Sequence, residues 1–283
     1  MTKTNTYRRC WMEVLGGCSG KLSREHVVSE KVLKHLSDSA IGLTTVAPDG
    51  SSQTNGIGSV TIRNLCAHHN SGTGVLDDEA QRLVSAVESF VRLNSSERLI
   101  AAGAAPERTV VINGHLFERW TVKTFLNVYM SGNLRHKDEV LPMFDLINPG
   151  VAEYVFNGRG LPFPQGLYGI DPGAPLLNTP HRHTHNYMFR PIAAIVQNRA
   201  TGERRQFPIF MHLKIKVWNF ATVSNLLKVS DDQFAEKADK FFECYRIPAE
   251  FRPPHKVMSN TPPGEPQTHT QLKIQFEWQL EDA

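Results

Sequence analysis

The chain has no long hydrophobic run. Nowhere does it reach the roughly 18 consecutive apolar residues that a membrane span needs, and Met1 to Arg9 are polar with no apolar stretch behind them. These absences predict a soluble protein of the cytoplasm with no membrane partner. A dominant charge is also missing: 31 Lys+Arg against 28 Asp+Glu leave a formal net charge of +3. That balance excludes the strongly basic class of polyanion binders, so any nucleic-acid contact must come from local clusters. Cysteine is scarce, with four in 283 residues, which excludes a disulfide framework of the small secreted kind. No internal repeat is present. What cysteine there is lies close together: Cys10, Cys18 and Cys66 all fall near the N-terminus, a clustering that points to metal and not to oxidation.

The length allows one large domain or two of ordinary size, and the change of pattern near Ala105 favours two, 1–104 and 105–283. In the first, Val27, Val28, Val32, Leu33 and Leu36 form a short apolar run that passes into helical spacing. Residues 44–59, rich in Gly, Ser, Thr and Asn, read as a long loop or the tip of a hairpin. From Leu76 the positions Ala80, Leu83, Val84, Val87, Val91 and Leu93 repeat at helical intervals, and Asp77, Asp78 and Glu79 suit a helix N-terminus. In the second domain Thr109 to Ile112 predicts a strand, Leu116 to Met130 a core helix ended by Ser131-Gly132, and Phe234 to Tyr245 another helix. Leu141 to His185 is dense in Gly and Pro and predicts short, irregular elements. The β-branched and aromatic runs Phe189–Val196, Phe207–Phe220 and Leu272–Trp278 predict strands of one antiparallel sheet, with Thr201-Gly202 as a turn. Pro253 to Pro266 reads as an extended surface tail. The fold class expected is α+β.

Four zinc-type ligands arrive as two local pairs. Cys10 and Cys18 flank a turn containing Gly16 and Gly17, and Cys66 is followed at the third position by His69, with His68 as the other histidine in reach. Two ligands from a turn and two from a helix start can close a tetrahedral site. Between the pairs stands Glu25-His26. Hydrolysis of a phosphodiester needs a base to take a proton from water and a cation to neutralise developing charge. A histidine of near-neutral pKa suits the first task, and hard oxygen ligands such as carboxylates or an amide hold Mg²⁺ or Mn²⁺ for the second. Asn70 supplies an amide and Asp77 a carboxylate; Asp77 either ligates a metal or charges the start of its helix.

The order of cysteine pair, acidic-His dipeptide, loop, then Leu65-Cys66-Ala67-His68-His69-Asn70 and a helix resembles the zinc-containing branch of the HNH endonucleases. The resemblance covers about 70 residues. It implies a ββα-metal module, a hairpin and a helix around one divalent cation, followed by a C-terminal mixed domain with an antiparallel sheet. It further implies that His26 is the general base, that Glu25 and Asn70 hold catalytic Mg²⁺ or Mn²⁺, and that Cys10, Cys18, Cys66 and His69 hold a structural zinc. Two positions depart from the family pattern: Thr61 stands where a middle asparagine is usual, with Asn64 nearby, and Ser29 stands where a proline often follows the histidine. The expected activity is hydrolysis of DNA phosphodiester bonds, in a setting such as phage defence, with a homo-oligomer or a companion subunit as partner. The competing expectation is a catalytically inactive zinc module that binds nucleic acid or protein, and a third possibility gives the principal function to residues 105–283.

Other features have ordinary explanations. His181, His183 and His185 alternate along a polar loop. Arg199, Arg204 and Arg205, with Lys214 and Lys216, read as a solvated hairpin before they read as a phosphate contact. Glu118, Arg119, Trp120 and Lys123 lie in a helix whose spacing is that of core packing, and Trp11 and Cys244 read as core.

Overall fold

A computed structural model of the chain describes residues 9–37, 43–46, 52–94, 108–131, 147–159, 161–162, 164–170, 187–197, 204–216, 218–227, 229–245, 258–259 and 272–278. It is a mixed structure of helices with antiparallel and parallel sheets. His181, His183, His185, Arg199, the Thr201-Gly202 turn and most of the Pro253 to Pro266 tail lie outside the described residues, as do the side chains of Arg204, Arg205 and Cys244. Among the described residues no helix is long and apolar enough to cross a membrane.

The N-terminal part is built on a short antiparallel pairing. Strand β1 (Glu25–His26) faces β4 (Thr61–Ile62), with Glu25 opposite Ile62 and His26 opposite Thr61. Backbone bonds extend the pairing on both sides, from Val27 N–H to the Val60 carbonyl, from Ser23 to Leu65 and from Ala67 to Lys21. Helix α1 (Glu30–Leu36) buries Val32 and Leu33. Strands β2 (Leu43–Val46) and β3 (Ser52–Asn55) pair in antiparallel, so the polar 44–59 segment, expected as a long loop or a hairpin tip, itself contributes strand. Helix α2 (Ala67–Gly72) runs almost directly into α3 (Gly74–Asn94), which buries Ala80, Leu83, Val84 and Val87 of the expected stripe together with Leu76 and Phe90, while Val91 is only half-buried and the Leu93 side chain lies outside the described residues.

Strand β5 (Arg108–Asn113) leads into helix α4 (Gly114–Met130), capped by the Asn113 side chain, which accepts from Leu116 N–H at 3.1 Å. Helix α4 is buried on nearly all sides. A helix so enclosed is the axis of its surroundings: α3, α5 (Pro149–Asn157) and two sheets all pack on it. One hydrophobic cluster runs from Cys10 and Trp11 through α3 and α4 to Phe276, so residues on either side of position 105 share a core.

The main sheet has the order β6 (Gly166–Gly169), β9 (Trp218–Val223), β8 (Arg204–Ile215), β7 (Tyr187–Gln197), all antiparallel, and α6 (Asp231–Tyr245) covers it with Phe234, Phe241 and Phe242. The expected single run Phe207–Phe220 is two strands, broken at Lys216, which adopts a left-handed φ of 55°. Leu272–Trp278 also departs from expectation. Strand β11 (Leu272–Glu277) does not join the antiparallel sheet; it pairs in parallel with β5 and antiparallel with β10 (Met258–Ser259). Its alternation of Leu272, Ile274 and Phe276 fixes which face is buried, but an alternating pattern carries no information about the neighbouring strand.

Candidate metal centre and active site

Cys10, Cys18, Cys66 and His69 place one ligand atom each within 4.8 Å of one another. The turn between the first two bends through Gly16 and Gly17 at φ of 76° and 67°, a conformation open to glycine and costly to other residues. Cys66 caps α2, which puts His69 one turn on and on the same side. The three sulfurs lie 3.4, 3.6 and 3.2 Å from the single Nδ1 of His69. One ring nitrogen has one lone pair or one N–H and cannot hydrogen-bond three thiols together. With metal–sulfur and metal–nitrogen bonds of about 2.3 and 2.0–2.1 Å, a tetrahedral zinc spaces S and N by about 3.6 Å. The donor set therefore fits a tetrahedral metal ion such as zinc. His69 is buried at the cluster and His68 is exposed, its ring lying against the Gly17 turn, which settles the choice between the two histidines.

The thiols are unequal. Burial pushes Cys10 up to about 12 and raises Cys18. Burial also acts upward on Cys66, but backbone N–H groups of His69 and Ser19 outweigh it and bring that thiol down to about 6. Cys66 is the readiest thiolate, and a cation is what would let the other two ionise.

Phe156 of α5 closes the cluster from above, its ring edge-on to His69 at 4.9 Å. A Cβ on Gly72 would come within 2.5 Å of the Phe156 ring. Gly72→Ala is expected to lose about 1–3 kcal/mol of stability in denaturant titration, because the displaced ring must leave its packed position.

Glu25 and His26 point to opposite faces of β1, as strand geometry requires. Glu25 is turned inward and is 5% exposed. There the Lys123 ammonium of α4 meets its Oε1 at 2.8 Å and the Asp77 carboxylate at 3.2 Å, while Asn70 hydrogen-bonds Glu25. Burial pushes the Glu25 carboxyl up; Lys123 works against that shift and Asp77 adds to it. Thus Glu25, Asn70 and Asp77 do come together, but around Lys123, itself 2% exposed. With Lys123 seated between the carboxylates they do not fit a divalent cation. The acidic triplet at the start of α3 faces three ways: Asp77 to Lys123, Asp78 to Lys31, and Glu79 to the Asn113 N–H at 2.7 Å.

His26 lies half-buried on the outer face with its Nδ1 3.9 Å from Glu30. Its Nε2 is covered and has no hydrogen-bond partner among the described residues. Desolvation lowers the pKa of His26, Glu30 raises it and Arg24 lowers it. Arg24 shares the outer face two residues before, exposed, with its guanidinium on the Gly58 carbonyl at 2.9 Å. Beneath the strand, Asn127 donates to the His26 carbonyl at 3.4 Å and accepts from Asn64 at 2.7 Å. Asn64 is thereby held in the core, 0% exposed.

Sequence reasoning missed Arg24, Lys123 and Asn127. Lys123 carried a signal: a lysine in a helix without a polar face must be paired. Its partners, 46 and 98 positions away in the chain, were not legible. Of the basic cluster, Lys216 pairs with Glu88 at 3.3 Å and sits 5.0 Å over the Tyr187 ring, and burial lowers Lys214; the arginine side chains lie outside the described residues. No protein family, no curated protein and no solved structure matches the chain.

Proposed function

We propose that the chain is a zinc-stapled nuclease of the HNH type that hydrolyses phosphodiester bonds in DNA. The supporting observation is the His26 ring, whose covered Nε2 has no hydrogen-bond partner among the described residues, on a strand next to the Cys₃His cluster. A buried ring nitrogen left unpaired costs about 1–3 kcal/mol, a cost that a bound water or substrate oxygen removes. Its lowered pKa keeps the imidazole neutral near pH 7, the form a base needs. In this reading β1, β4 and α2 are the ββα elements and the zinc fixes their mutual placement.

His26 takes a proton from water as the water oxygen bonds to phosphorus. The bond from phosphorus to the leaving oxygen breaks, and that oxygen takes a proton from solvent. Arg24, beside His26, is placed to neutralise a phosphate oxygen. Lys123 cancels part of the charge of Glu25 and Asp77, which would otherwise repel the approaching phosphodiester.

Cleavage is expected to fall on acidification only below the ordinary histidine value of about 6.5. Because Glu30 raises His26, Glu30→Gln should move that acidic limb to lower pH, measured as the pH profile of kcat/KM on plasmid DNA. A limb unmoved by the substitution would remove His26 as the titrating base. A second reading, a zinc module that binds nucleic acid or a protein without cutting it, is favoured by the withdrawal of Asn64 into the core. It predicts retained DNA with no strand breaks.

A further inference from the structure

We infer that the cation built into this site is the Lys123 ammonium, and that Glu25, Asp77 and Asn70 form no divalent-metal site while Lys123 is present. The inference rests on the nuclease reading for its meaning, but not for its geometry. Nζ of Lys123 stands 2.8 Å from Glu25 Oε1 and 3.3 and 3.2 Å from the two Asp77 oxygens. A magnesium ion needs oxygens at about 2.0–2.1 Å in a nearly octahedral array. The point from which both carboxylates could reach such an ion is where Nζ lies. A divalent ion placed beside it would put two positive charges against a third in a buried setting, where screening is weakest.

Nor does Lys123 have a ready way out. It comes from the middle of α4, which is enclosed on nearly every side, and its side chain is 2% exposed. One turn later on the same helix face, Asn127 holds the His26 carbonyl at 3.4 Å. Two successive residues of β1 are thus held by one turn of α4, Glu25 through its side chain and His26 through its backbone. Lys123 is a positioning residue: it touches no substrate, fixes Glu25 and Asp77, and takes the electrostatic place of a hard cation with a covalently attached one.

The test is Mn²⁺ binding to the zinc-loaded full-length protein, followed by electron paramagnetic resonance of the free aqueous ion. Wild type is expected to take up no Mn²⁺ that Glu25→Gln removes. Lys123→Ala, which leaves room for an ion and its waters, should bind one Mn²⁺ per chain at least about tenfold tighter than wild type. Adding Asp77→Asn should abolish that gain, and Mn²⁺ should raise the melting temperature of Lys123→Ala but not of wild type. Uptake by wild type that Glu25→Gln abolishes, or no gain in Lys123→Ala, would overturn the inference. If Lys123→Ala does not fold, the wild-type and Glu25→Gln titrations decide alone. None of these arms reads cleavage, so an inactive protein would defeat the nuclease reading and leave the assignment of Lys123 standing or falling on the Mn²⁺ result.

Discussion

Replacing Lys123 with methionine is expected to lower the folding stability by about 3–5 kcal/mol, measured by chemical denaturation. The reason is what remains behind. Glu25, 5% exposed, and the partly buried Asp77 would face each other with no cation between them. The loss is the cost of uncompensated buried charge, not a measure of what the ion pair contributes. Adding Glu25→Gln to Lys123→Met should therefore restore a good part of the stability, because the pair is coupled. Strictly additive losses would mean that Lys123 acts through packing alone.

The second large effect follows loss of the metal. Cys10 and Cys18 lie on an irregular segment with a glycine turn, held to the Asn64–Ala67 stretch by two backbone bonds, from Trp11 N–H to the Asn64 carbonyl and from Ala67 N–H to the Lys21 carbonyl, and by the four candidate ligands. Zinc binding to small structural sites releases about 10–16 kcal/mol near neutral pH, much of it folding free energy. The purified protein is expected to carry one zinc per chain. Chelation, or Cys66→Ala, should unfold the N-terminal segment and lower the melting temperature, with Trp11, 3% exposed beside Cys10, reporting the change by fluorescence. Acid should do the same: three thiolates must accept protons to release the ion, so occupancy falls as pH drops. A zinc-free protein with unchanged melting would remove the staple from the account.

Two local ligand pairs were enough to pick out the candidate Cys₃His cluster from the sequence, since each pair is a local feature of a turn or a helix start. The long stripe of α3 and the core helix α4 were legible for a similar reason: helical periodicity is local. What escaped was everything decided by distant neighbours. The alternation of Leu272, Ile274 and Phe276 is plain, yet its partner Arg108–Asn113 stands more than 150 positions earlier in the chain. Glu25 and Asp77 looked like metal ligands because the cation that pairs with both comes from α4, distant from each in sequence. The proposed boundary at 104/105 marked a change of pattern, but α3 and α4 bury their apolar faces in one cluster across it. Residues beyond 105 thus supply Lys123, Asn127 and Phe156 to the site, which makes them part of it.

The most direct measurement is cleavage of supercoiled plasmid by zinc-loaded full-length protein, with no added divalent ion and again with Mg²⁺ or Mn²⁺, beside a His26→Ala variant that retains its zinc and its melting temperature. Strand breaks by the wild type without added divalent ion, lost in His26→Ala, are the predicted result. Equal cutting by both proteins, or no cutting under any condition, would contradict the account.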